Sequence, residues 1–415
     1  MTDTLAILGG SPVRTRPWAA WPEWGDPERE ALERVLASGS WGGHPSPNTE
    51  ARAFTSELAA YLGTEHVVAC ANGTFALTLA LQSARIGPGA EVVTTGYSFV
   101  GTASAIIAAG CVPIFVDVRP ETYCIDPDAV EAAVGPRTEA VLPVHLGSQM
   151  ADMDALRALT ARRGLLLVED CAHAHGARWR GRGAGTLCDL GAFSMQTTKL
   201  LTGGEGGAVA TRDATMAERL LSLVNCGRKE PEYRSFPEQM LGHNLRMTEW
   251  QAAILRAQLL RLPEQHARRA RNVARFVERI ASVPGVEPLP RDPRVELGIH
   301  YQLVLRYDAA HFAGLPRDRA LEALRAEGVP CAGRFYRPLP DDPLFARDPH
   351  TNPAARAGAR WSSDGLPVTR RAAEEEALWL HHALFLGDDR DVEDLVSAFA
   401  RVQARASSLR EAGVA

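Results

Sequence analysis

Short apolar runs rich in valine, leucine and alanine recur through the first half of the chain, at 67–70, 91–95, 112–118, 140–145, 165–170, 191–195 and 208–211. Between them the apolar positions fall at three- and four-residue spacing, over 75–85, 100–109, 127–133 and 153–163. Short strands alternating with amphipathic helices predict an α/β unit: an open, mostly parallel sheet of seven strands with helices on both faces. Ligands of such sheets sit beyond the carboxyl ends of the strands. The residues that follow each run are therefore the ones to read for chemistry.

The rhythm changes near Met247. Segment 249–262 reads as a long helix that Pro263 stops, and 264–280 as a second, charged helix. Pro- and Arg-rich segments follow, then a strand at 301–305 and a terminal helix at 392–404, which together predict a smaller α+β unit. The expected division is a large domain over 1–262 and a small C-terminal domain over 263–415. Segment 337–363, rich in Pro, Asp and Ala, reads as a long loop.

Composition narrows the class. A chain of 415 residues is long enough for two domains, and 46% hydrophobic with 23% charged residues is ordinary for a globular protein. A net charge of −5 gives no reason to expect nucleic acid or a membrane surface as partner. No run approaches the roughly 20 apolar residues of a membrane span, and Met1-Thr2-Asp3-Thr4-Leu5 lacks the regions of a signal peptide. Seven cysteines without CxxC spacing fit reduced thiols in a cytoplasm rather than a disulfide framework or a zinc site. The expectation is a cytoplasmic protein with small-molecule substrates and no metal.

Lys199 stands between the apolar run at 191–195 and the loop Gly203-Gly204-Glu205-Gly206-Gly207; Asp170 ends the run at 165–170. A lysine and an aspartate, each at the end of its own strand, are the pair that pyridoxal phosphate chemistry needs. The lysine forms an imine with the cofactor aldehyde, and the carboxylate keeps the pyridine nitrogen protonated. His173, three residues after Asp170, is placed to lean over such a ring or to bond its phenolic oxygen. His173-Ala174-His175 lacks the company a metal site requires. Asn72-Gly73-Thr74, between a strand and a helix, suits a phosphate, with Ser194 donating from another strand end. Phe99 is an aromatic available for ring stacking. Gly181-x-Gly183-x-Gly185 follows Arg178-Trp179-Arg180 rather than a strand, and so reads as a turn. Each feature has a bland alternative as a cap, a turn, core packing or a solvated lysine. Their joint occurrence carries the weight.

Asn72-Gly73-Thr74, Asp170-Cys171-Ala172-His173-Ala174-His175-Gly176, Phe193-Ser194-Met195-Gln196-x-x-Lys199, Glu205-Gly206-Gly207-Ala208-Val209 and Gly242-His243-Asn244-Leu245-Arg246-Met247 occur in that order. The arrangement resembles the DegT/DnrJ/EryC1/StrS family over nearly the whole chain. The opening Gly9-Gly10-Ser11-Pro12-Val13-Arg14 and the late Trp379-Leu380-His381-His382 are part of the likeness. Ser194-Met195-Gln196 and the Glu205 loop look most like the branch of scyllo-inosose aminotransferases and 3-amino-5-hydroxybenzoate synthases, while Thr197-Thr198 departs from it.

The resemblance implies fold type I of the pyridoxal phosphate-dependent transferases, and a homodimer with shared active sites. By it Lys199 carries the cofactor, Asp170 contacts the pyridine nitrogen, and His173 lies beside the ring hydroxyl. Phe99 stacks on the ring, and Gly73, Thr74 and Ser194 bind the phosphate. Asn244 reaches the phosphate of the neighbouring subunit. The substrate is expected around His44, His145, Arg334 and Tyr336. The implied reaction moves the amino group of L-glutamate or L-glutamine onto a ketone. A nucleotide-activated keto-sugar of amino-sugar antibiotic biosynthesis is the first expectation. A cyclitol ketone of the scyllo-inosose type, or an aminohydroxybenzoate-type cyclohexenone, is the alternative. Sugar dehydration and a non-enzymatic regulatory role come last.

Overall fold

The computed structural model describes residues 4–412 apart from 44–45, 231–232, 234, 237–239, 298, 346–353 and 355–360. His44 lies outside the described residues. Seven strands form the main sheet: β1 (His66–Cys70), β2 (Glu91–Thr95), β3 (Val112–Val116), β4 (Thr138–Leu142), β5 (Leu166–Asp170), β6 (Leu190–Ser194) and β7 (Gly207–Thr211). Their order is β1-β7-β6-β5-β4-β2-β3. β7 runs antiparallel to both β1 and β6, and the other pairings are parallel. The expected mostly parallel sheet is present, with β5 at its centre.

The helices that cover it are α1 (Asp26–Ser38), α2 (Thr49–Leu62), α3 (Gly73–Ser83), α4 (Val100–Ala108), α5 (Pro127–Ala133), α6 (Met153–Arg163) and α7 (Ala214–Val224). α3 is apolar nearly all round, Ala76 to Leu81 being buried, because it packs on β6 and β7 and also under α4 and α7. Its start is fixed by Asn72, whose Oδ1 accepts the Phe75 N–H at 2.9 Å. β7 begins where Gly207 pairs with both Cys70 and Ser194. A Cβ on Gly207 would lie 2.3 Å from the Asn72 carbonyl oxygen, so only glycine permits this approach.

The expected stop at Pro263 does not occur. α8 runs unbroken from Glu249 to Ile280, with Pro263 on its exposed face. An interior proline costs about 3 kcal/mol. Packing on either side outweighs that cost: α8 lies against α1 and α2, and further along against the late helix Asp389–Ala404. The boundary expected between 262 and 263 therefore falls inside a helix. A second sheet of four strands, β8 (Val286–Pro288), β9 (Gln302–Tyr307), β10 (Cys331–Ala332) and β11 (Ala377–His381), has the order β8-β9-β11-β10. With α9 (Arg317–Ala326) and α10 (Asp389–Ala404) it encloses a separate apolar core. The start of the chain also belongs there. Leu5 is in that core, and Arg14 bonds Asp391 at 2.8 Å and Asp394 at 2.9 Å.

Arg178–Trp179 and Arg182–Gly183 pair around Arg180 and Gly181, both at positive φ (47° and 77°), so the glycine triplet is the turn expected. No described helix is long and apolar enough to cross a membrane.

Candidate active site

Beyond the carboxyl ends of the parallel strands lies a cavity of about 670 Å³. Gly73, Thr74, Phe99, Asp170, His173, Ser194, Lys199 and Tyr336, all predicted from sequence, line it. Lys199 stands in the turn after β6, where its N–H donates to the Gln196 carbonyl at 2.8 Å; the residue is only 9% exposed. The ammonium lies 4.5 Å from the ring centroid of Tyr301, a cation–π arrangement.

Asp170 ends the central strand and is buried. Its Oδ2 accepts from the Thr102 hydroxyl at 2.9 Å and its Oδ1 from the Ala172 N–H at 3.1 Å. Burial pushes this carboxyl above the usual aspartate value, against the hydrogen bonds of Ala172 and Thr102 and the nearby Lys199 charge.

His173 stacks on Tyr301, with centroids 4.1 Å apart and planes at 26°. Its Nδ1 accepts the Gly147 N–H at 3.2 Å, and its Nε2 lies 3.1 Å from the Tyr336 hydroxyl. Burial, with the Lys199 charge second, holds the imidazole well below its usual pKa, so it is neutral. An accepting Nδ1 puts the proton on Nε2, which therefore donates to Tyr336. The Tyr336 hydroxyl is then free to donate into the cavity. Desolvation pushes its pKa well up, so it keeps its proton.

The amino end of α3 is the anion cradle. The Phe75 N–H is capped by Asn72, which leaves the N–H groups of Gly73 and Thr74 for a ligand. A Cβ on Gly73 would lie 2.5 Å from the Ser194 Cβ, so glycine lets the helix end and the serine close on one small volume. Phe99 sits at the rim, 55% exposed, as the residue preceding α4.

Three predicted residues do not reach the cavity. His145 is interior: its Nε2 lies 3.0 Å from Glu169 Oε2, and its Nδ1 accepts the Ala151 N–H at 3.2 Å. Its neighbour Val144 faces the cavity, and alternation along extended chain sends His145 to the opposite side. Arg334 points to the surface, its side chain 63% exposed, and pairs with Asp318 at 3.2 Å. Asn244 is exposed on the bridge it forms with Asn225.

Sequence reading also missed residues that the fold delivers. Thr102 lies one helical turn after Phe99, a spacing that could have suggested it. Tyr301 comes from the segment entering β9, more than a hundred positions from its partner Thr198, whose hydroxyl lies 3.0 Å from the tyrosine oxygen. Nothing local in the sequence marks that pairing.

An amine, a buried carboxylate, a neutral imidazole with a proton-bearing phenol and an anion cradle form a donor set that fits pyridoxal phosphate. Comparisons with known proteins agree. The sequence profile of the DegT/DnrJ/EryC1/StrS aminotransferase family matches residues 23–385. A Streptoalloteichus tenebrarius protein, provisionally named as an L-glutamine:3-amino-2,3-dideoxy-scyllo-inosose aminotransferase, is 45% identical over 99% of this chain and 100% of its own. The L-glutamine:2-deoxy-scyllo-inosose aminotransferase of the same organism is 41% identical over 98% of this chain and 99% of its own. The crystal structure of 3-amino-5-hydroxybenzoic acid synthase superposes with a TM-score of 0.83 at 35% identity, covering 94% of this chain and 100% of that one.

Proposed function

The chain belongs to the DegT/DnrJ/EryC1/StrS aminotransferase family of pyridoxal phosphate enzymes, and on that premise we propose that it moves the amino group of L-glutamine onto the ketone of a deoxy-scyllo-inosose-type cyclitol. The observation that carries this reading is the 45% identity, over 99% of this chain and 100% of the other, to a relative provisionally named for the 3-amino-2,3-dideoxy ketone of that type. The cavity supports it. Among the described residues lining it, Lys199 is the one cation and no arginine is present. A diphosphate would thus find no arginine among the described lining residues, whereas an uncharged polyol ketone needs none. The cyclitol therefore displaces the nucleotide-activated keto-sugar as the preferred acceptor.

Pyridoxal phosphate, when bound, supplies the electron-withdrawing ring and the aldehyde carbon through which the amino group passes. Gly73, Thr74 and Ser194 would hold its phosphate, Phe99 would cover its ring, and Asp170 would face its pyridine nitrogen. Lys199 would anchor it, and its amine would move the proton at the substrate carbon as general base and acid. Tyr336, its hydroxyl freed by the His173 donor, orients the ketone oxygen. Asn244, exposed and outside this cavity, serves the phosphate of a second copy in a homodimer.

The test is a panel of three kinds of ketone. Protein converted with L-glutamine and freed of it is offered 3-amino-2,3-dideoxy-scyllo-inosose (with its 2-deoxy analogue), a nucleotide keto-sugar or a keto-cyclohexene acid, and products are identified by mass. Amino-cyclitol is expected. Amination of the nucleotide keto-sugar with none of the cyclitol overturns the reading.

A further inference from the structure

Ser98 and Thr102 are buried hydroxyls that the mechanism above does not use. Ser98 Oγ lies 3.0 Å from Thr102 Oγ1, which in turn lies 2.9 Å from Asp170 Oδ2. Both side chains are nearly inaccessible to solvent, so water does not substitute for either partner.

The direction of this chain follows from the carboxylate. An ionised Asp170 only accepts, so the single Thr102 proton must go to Oδ2. The Thr102 oxygen is then an acceptor, and the Ser98 proton must go to it. A carboxyl protonated at Oδ2 would donate instead and reverse both bonds, so this direction of the relay belongs to an Oδ2 that carries no proton.

We propose that Thr102, backed by Ser98, is a positioning residue that holds the Asp170 carboxylate ionised and oriented in the cavity. The inference rests on the proposed role of Asp170 toward the pyridine nitrogen. Burial opposes the charge. Ala172 and Thr102 are its hydrogen-bond donors, and Lys199 from the turn after β6 adds favourable charge, while His145 from the segment after β4 is engaged with Glu169. Tyr336 from the C-terminal unit and the neutral His173 face the same space without charge. The Ala172 donor is backbone and Lys199 is committed to the reaction, which leaves Thr102 as the side chain whose hydroxyl serves the charge alone. The turn that begins α4 delivers it: the Thr102 N–H donates to the Phe99 carbonyl at 3.1 Å, so one turn presents both the aromatic rim and the hydroxyl.

The experiment follows the Asp170 carboxyl by infrared difference spectroscopy in cofactor-free full-length protein, with Asp170→Asn as the blank that assigns the band. Thr102→Val, equal in size and without the donor, is expected to raise the protonation midpoint by about one to two pH units, the scale of a hydrogen bond to a charged group. Thr102→Ser should restore it to within about half a pH unit of the wild-type value. In cofactor-loaded protein Thr102→Val should lower kcat about tenfold while KM stays within about twofold, because the loss is in a group acting through another. Ser98→Ala should shift the midpoint the same way by less, and serves if Thr102→Val does not fold. An unmoved midpoint in Thr102→Val, or in Ser98→Ala when that variant stands in for it, overturns the proposal. A native rate in Asp170→Asn removes instead the role of Asp170 on which the proposal rests.

Discussion

Gly73→Ala probes the anion cradle at its tightest point. The added Cβ would lie 2.5 Å from Ser194 Cβ and 3.0 Å from both its Cα and its Oγ. Non-bonded carbons rest at about 3.5–4.0 Å, so α3 and the end of β6 must part by about 1 Å. Overpacking of this kind costs about 1–3 kcal/mol of stability. The larger effect falls on binding. A hydrogen bond of about 2.9 Å stretched by about 1 Å is no longer one, and losing a bond to a charged group costs about 1.5–3 kcal/mol. The cofactor dissociation constant should therefore rise about ten- to hundredfold. Protein fluorescence titrated with pyridoxal phosphate measures it. Gly365→Ala is the control, since nothing lies within 4 Å of the Cβ it would add. Cofactor affinity of Gly73→Ala within about twofold of the control would refute the assignment of this helix end to the phosphate.

Four further substitutions test the same geometry. Asp170→Asn should abolish most turnover yet stabilise the cofactor-free protein at neutral pH. The Asp170 pKa is raised by burial, so its contribution to stability is full below the unfolded value near pH 3.8 and is lost as pH rises through the raised one. As pH rises above the usual aspartate value the thermal unfolding temperature should thus fall more steeply for wild type than for the Asp170→Asn variant; parallel curves would contradict this. Tyr336→Phe, which removes the phenolic proton donor, should cut kcat about tenfold to a thousandfold with the cofactor still bound, as general-acid and oxyanion donors do, and steady-state kinetics with the cyclitol would show it. Arg334→Ala should leave KM for both substrates within about twofold, since it breaks only an exposed pair worth at most about 1 kcal/mol; His145→Ala should instead lower thermal stability by leaving Glu169 short of a buried donor.

The parallel sheet is legible in the sequence because buried strands and amphipathic helices differ in period, and Asp170, Lys199 and Gly73 are legible because each follows such a strand. What escapes is set at longer range. His145 reads as a polar residue at a strand end, and its side is decided by whether the chain stays extended past β4. Pro263 reads as a stop because its cost is local, while the packing that overrides it comes from α1, α2 and α10. Leu5 and Arg14 open the chain yet complete the C-terminal core, a contact that no local pattern announces. Tyr301 reaches Lys199 only because β9 packs against Gly147 and Ser148, in the segment after β4.

The central claim is that Lys199 passes an amino group from glutamine to a cyclitol ketone. Single-turnover spectroscopy of the cofactor-loaded protein tests it most directly, with L-glutamine added first and a mixture of 3-amino-2,3-dideoxy-scyllo-inosose and 2-deoxy-scyllo-inosose second. The account predicts that the cofactor absorbance is lost and then restored, with about one amino-cyclitol formed per Lys199 as ping-pong transfer requires, and that Lys199→Ala does neither. Turnover at a near-native rate in Lys199→Ala, or no restoration by the cyclitol in wild type, would contradict it.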